Sequence, residues 1–122
     1  MSTNNRLEFR RETFPETTII AEEKLRDYVL NPLNPDSAAK ARFLEEMGYR
    51  QERWQVLEAD LRAQHLSQEA MIGKKSPYGE KYEIIALLSG PNGQTREIRS
   101  IWMIRKGESV ARFITLIPER RS

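Results

Sequence analysis

The chemistry open to this chain is acid–base and phosphate chemistry, and its placed side chains can be weighed one by one. The chain has one imidazole, His65, and no cysteine. A histidine titrates near neutrality, which suits a general acid or base. His65 ends a stripe of Trp54, Leu57, Leu61 and His65 at spacings of three and four, so its ring should face the core side of a helix. That placement fits a buried histidine bonded to a carbonyl as well as a proton carrier. Lys40 stands three and four residues before Phe43 and Leu44, on the inner stripe of another helix. It either snorkels along the core edge or serves as a fixed cation for a phosphate. Arg99, Arg112 and Lys81 fall in strand-like segments, out of phase with some bulky residues. Arginine forks match phosphate oxygens, so one sheet face is expected to be basic. The alternative is cross-strand pairing with Glu83 and Glu97. Trp102, Tyr82, Tyr78 and Phe113 are candidates for stacking on bases. Thr115 offers a hydroxyl that β-propensity explains as well as phosphate binding does, and Ser100 allows the same argument.

Other chemistries are excluded. Gly90-Pro91-Asn92-Gly93 has no following helix and no Lys-Ser/Thr pair, so it is a turn and not a phosphate loop. Glu45, Glu46, Glu58 and Asp60 lie on solvated helix faces without the spacing of a carboxylate pair or a metal site. Without cysteine there is no thiolate zinc site and no thiol nucleophile, and one histidine forbids a multi-histidine metal site. No cofactor is expected.

The elements that must position these residues can be read from periodicity. At 122 residues, one domain is expected over 14–118, between a polar arm of 1–13 and a charged tail of 119–122. The β-branched run Thr17-Thr18-Ile19-Ile20 reads as extended. A first helix is expected over 21–30, stopped by Asn31-Pro32. A second follows over 37–47, capped by Asp36 or Ser37, with Gly48 as its left-handed C-terminal residue. The third spans 51–67. Alternation then gives strands over 81–89, 95–105 and 109–117, joined by tight turns. Helices followed by strands argue an α+β fold, with three helices on one face of an antiparallel meander of three or four strands. The charge is uneven: residues 1–73 carry a net −3 and residues 74–122 a net +5. No apolar run approaches the roughly 18 residues of a membrane span. The polar N-terminus does not read as a signal peptide, so a cytoplasmic site of action is expected.

Several segments together resemble one family. They are Tyr28-Val29-Leu30-Asn31-Pro32, Lys40 to Leu44 closing on Met47-Gly48-Tyr49, Trp54, and the helix ending at His65. Ser76 to Tyr82, Gly90 to Gly93, Arg99 to Trp102 and Arg112 to Pro118 complete the set. The ordered set is similar to a small bacterial and cyanobacterial domain of unknown function. Its members occur as stand-alone proteins beside antitoxin-like genes, and as C-terminal modules of polymorphic toxins and phage proteins. One departure is Ile117, where the family tends to carry an aromatic before its proline.

The resemblance implies a toxin-type domain, similar in element order to the compact ribonucleases of the barnase, colicin and RelE type. Such enzymes cut RNA without a metal, using the ribose 2′-hydroxyl as nucleophile. The site residues it implies here are His65, Arg112, Arg99, Lys40, Tyr82 and Thr115. Arg99 and Arg112 would hold the phosphate, and His65 would be base or acid with Lys40 or Tyr82 as its partner. The implied partners are RNA and a small antitoxin or immunity protein, and the domain is expected either alone or delivered within a larger toxin. The alternative is a non-enzymatic interaction module, an immunity or adaptor protein, which the small net charge of +2 favours.

Overall fold

The computed structural model describes residues 18–119. The arm of 1–13 lies outside the described residues, as do residues 120–122 of the tail. Helix α1 begins as an α-helix over Glu22–Lys24 and continues as a π-helical turn over Leu25–Val29. Helix α2 spans Ala38–Glu46. Ser37 stands at its N-cap position but gives its hydroxyl to the Tyr28 carbonyl, so it ties α2 to α1 instead of capping the helix. Gly48 ends the segment at φ +98°, as the C-terminal glycine predicts. A 3-10 turn over Gln51–Arg53 leads into α3, Trp54–Asp60, which continues π-helically over Leu61–His65.

Four strands follow: β1 Met71–Ser76, β2 Gly79–Ser89, β3 Thr95–Arg105 and β4 Ala111–Pro118. They pair antiparallel in the order β1-β2-β3-β4. The architecture is α+β with an antiparallel sheet and three helices. Strand β1 lies outside the three segments that alternation marked. Gly73 and two lysines interrupt its pattern, and its pairing with β2 is irregular between Ile72 and Lys75. The extended run before α1 joins the other edge. Ile19 forms a parallel bridge to Arg112, with Ile19 N–H bonded to Ala111 O at 2.9 Å and Phe113 N–H to Ile19 O at 2.8 Å.

The core fills the space between the helices and one sheet face. Ile84, Leu88, Ile98, Trp102, Phe113 and Leu116 meet Leu25, Val29, Leu44, Leu57 and Leu61, all buried. Trp102 and Phe113 meet edge to face at 5.3 Å between ring centroids. Strand β4 changes phase at a bulge. Phe113 pairs with Trp102, yet Thr115 pairs with Ile101, so Ile114 is an inserted residue. The bulge puts Arg112, opposite Met103, and Thr115 on the same face, although three positions separate them. No described helix is long and apolar enough to cross a membrane.

Candidate functional site

The six sequence-predicted residues separate into four places. His65 is fully buried in the core. The π-turn that ends α3 carries its ring onto the sheet, and Leu66 N–H reaching back to Leu61 O is the bond that makes this turn. His65 Nδ1 lies 2.7 Å from Ser100 Oγ and Nε2 lies 3.2 Å from Ala86 O. Trp102 Nε1 donates to Ser100 Oγ at 2.8 Å. A carbonyl only accepts, so Nε2 carries the proton and Nδ1 accepts from Ser100. The chain Trp102 to Ser100 to His65 to Ala86 is closed, and each ring nitrogen is satisfied with the imidazole neutral. Burial pulls the His65 pKa down to about 4, against a smaller opposing effect of the Ala86 carbonyl. The ring meets no solvent. The helical stripe gave its direction correctly, and the buried alternative describes its contacts.

Arg99 and Tyr82 occupy the second and third places. Arg99 lies on the sheet face away from the core, with Nη1 on Glu83 at 2.7 Å and Nε and Nη2 on Glu119 at 2.9 and 3.0 Å. Glu119 is itself fixed, its N–H bonded to Glu97 O at 2.9 Å. The charge of Arg99 is therefore matched by two carboxylates, and the face around it is a mixed ionic surface and not a basic one. Tyr82 is buried on the core side, its hydroxyl donating to Glu80 at 2.8 Å. Burial first, and Glu80 second, push its pKa up to about 12. Trp102 and Phe113 are buried as well, so of the four aromatics considered for base stacking only Tyr78 is exposed.

Lys40 meets Thr115 on β4, and Arg112 lies on the same strand and the same face as Thr115. Lys40 Nζ donates to Thr115 Oγ1 at 2.9 Å and to Tyr28 OH at 3.3 Å, and lies 5.1 Å from the Tyr28 ring centroid. Among the described residues Lys40 has no carboxylate partner. Lys24 stands 5.9 Å from the same ring. A cleft of about 110 Å³ beside it is lined by Ile19, Lys24, Arg105, Arg112 and Ile114. Arg112 is held by Glu108 at 3.3 Å. Lys24 thus stands between two groups on this edge, Lys40 with the Thr115 and Tyr28 hydroxyls on one side and the cleft with Arg105 and Arg112 on the other. Among the described residues no group of three His, Asp or Glu side chains could hold a metal ion.

Sequence reasoning missed Tyr28, Lys24 and Arg105. A signal for the first two was present, since Lys24 and Tyr28 are four apart on α1 and share a helix face. Nothing in the sequence joined either to Lys40, because only the packing of α1, α2 and β4 does so.

Fold and edge together define an α+β domain with a half-buried lysine, hydroxyl-held, at the margin of its sheet. The chain belongs to the family described as Domain of unknown function (DUF6883), which matches residues 13–120. Neither the curated proteins nor the solved structures contain a match.

Proposed function

We propose that the domain binds RNA along the β4 edge and cleaves it there without a metal, in a toxin-type setting. The observation that carries this reading is Lys40, an ammonium fixed by Thr115 and Tyr28 with no carboxylate against it among the described residues. A cation so placed is preorganised for an anion from solution. Lys24, Arg105 and Arg112 extend it into a track, which suits a phosphate chain better than a single small anion.

In the cleavage step the ribose 2′-oxygen attacks phosphorus and the bond to the 5′-oxygen breaks, leaving a 2′,3′-cyclic phosphate. Lys40 and Arg112 hold the phosphoryl oxygens. The carboxylate of Glu108, held on Arg112, accepts the 2′-hydroxyl proton. The Tyr28 hydroxyl, already accepting from Lys40, gives its own proton to the leaving 5′-oxygen. His65 and Tyr82 act by holding the sheet in shape, and Arg99 by joining β2, β3 and the chain after β4.

The test is anisotropy of a labelled single-stranded RNA between 50 and 200 mM salt, concentrations at which phosphate contacts are strongly screened. Four cations at about 0.7 each predict a log–log slope of about −3. Lys40→Gln should lower affinity and flatten the slope by about 0.7 while the melting temperature stays near the parent's. Glu108→Gln should retain binding and lose cleavage of total RNA in EDTA. A parent that binds RNA without salt dependence, or not at all, overturns the reading.

One observation favours a second reading, an interaction module with a protein partner. The outer sheet face carries Leu87 at 59% and Met71 at 42% exposure, beside half-buried Ile85, Ile101 and Met103. A partner docked there would bind with little dependence on salt, which separates the two readings in the same titration.

A further inference from the structure

The two hairpin tips at one end of the sheet form a second feature, outside the Lys40 group. Strands β1 and β2 are joined by Pro77-Tyr78, and β3 and β4 by the turn after Arg105. Lys106 N–H bonds to Tyr78 O at 2.8 Å, which fastens one tip to the other. Tyr78 N–H is also bonded to Ser76 Oγ, at 3.2 Å. Gly79 makes the approach possible. Its φ is +151°, and a Cβ there would overlap the Ile104 carbonyl oxygen. The backbone of Tyr78 is therefore held at both ends, while its side chain is 77% exposed. A large aromatic on a fixed turn in solvent adds nothing to the core. Beside it opens a cleft of about 360 Å³, lined by Lys75, Glu80, Arg105, Lys106 and Glu108 among others, with Glu108 turned to Arg112. Glu80 is engaged by Lys75 at 3.3 Å and by the Tyr82 hydroxyl. Arg105 and Lys106 have no carboxylate partner among the described residues. Arg105 also lines the β4-edge cleft, so the two clefts share a wall.

We infer that this end of the sheet is a base-stacking subsite, in which Tyr78 takes one nucleobase of a single-stranded RNA. Lys106 and Arg105 hold the adjoining phosphates and lead the strand to the β4 edge. The inference rests on the RNA reading above and adds to it a strand type and a direction of travel. Single-stranded RNA fits because its unstacked bases present a free face, whereas a duplex shows only phosphates and groove edges to a tyrosine. The subsite is sequence-tolerant, since every base has a π-face. It also explains how a domain of net charge +2 would hold RNA, by adding stacking to a short run of phosphate contacts.

The experiment compares a short single-stranded RNA with the same strand made abasic, and with its duplex, on the full chain. Stacking of one base predicts that Tyr78→Ala weakens single-strand binding by about 5- to 150-fold. Tyr78→Phe should bind as the parent does, because the ring and not the hydroxyl makes the contact. The parent should lose a similar factor on the abasic strand, and Tyr78→Ala should not distinguish the two strands. Tyr78→Ala binding as tightly as the parent, while Lys40→Gln binds weakly, overturns the subsite and leaves the edge standing. No binding by the parent to any of the three RNAs overturns both.

Discussion

His65 should make this protein lose stability in a defined pH window. The folded state holds the imidazole neutral, with Nδ1 accepting from Ser100 and Nε2 donating to Ala86 O. Protonation would put a second N–H on Nδ1, facing an oxygen that already receives the Trp102 N–H. In the unfolded chain the ring has its ordinary pKa of about 6.5, and in the fold about 4. Above pH 6.5 neither state binds the proton, and the stability is fully present. Between about 6.5 and 4 only the unfolded chain binds it, so stability falls as the pH falls. Below about 4 both states bind it and this contribution levels off. Each pH unit across the window is worth about 1.4 kcal/mol, so the whole loss is on the order of 3 kcal/mol. That is a large share of the roughly 5–15 kcal/mol that stabilises a typical domain. Carboxylates titrate in the same range, so the parent is compared with His65→Gln in urea unfolding from pH 7.5 to 4. The stability difference between them should shrink by about 3 kcal/mol over that range. Since the chain has one histidine, its imidazole can also be followed alone by NMR in the folded parent. A folded-state midpoint near 6.5, or a difference that does not change with pH, would refute the closed hydrogen-bond chain.

Three further outcomes follow from the same geometry. Ser100→Ala removes the hydroxyl that serves both the His65 ring and the Trp102 indole, and should cost about 1–3 kcal/mol in urea unfolding. Arg99→Ala breaks two pairs at a side chain 31% exposed, so it should cost under about 1 kcal/mol and leave RNA affinity within about twofold; a tenfold loss would extend the binding surface from β4 across the outer face to β3 and β2. Gly90→Ala places a Cβ against the Met47 carbonyl and should destabilise by about 1–3 kcal/mol, read as a lower melting temperature.

Residue periodicity alone determined the coarse architecture. The 3.6-residue stripes gave three helices, Pro32 and Gly48 gave ends to two of them, and strict alternation gave β2 and β3, because these signals are local. The ordered segments from Tyr28 to Pro118 also pointed to a domain of unknown function, which the match over residues 13–120 bears out. The direction of His65 was legible for the same reason, since a residue on a helix stripe has no choice of side. Its chemistry was not. Whether a ring nitrogen meets solvent or Ser100 is decided across 35 positions of sequence. Strand β1 was hidden because its Gly-Lys-Lys run alternates with nothing, and it forms on the template of β2. The contact of Lys40 with Thr115, and the face that Thr115 shares with Arg112, were decided by tertiary structure alone. They require α2 to lie along β4, over 75 positions between Lys40 and Thr115, and a bulge at Ile114 that shifts the strand's phase. A count of period two places Arg112 and Thr115 on opposite faces, and one inserted residue reverses that.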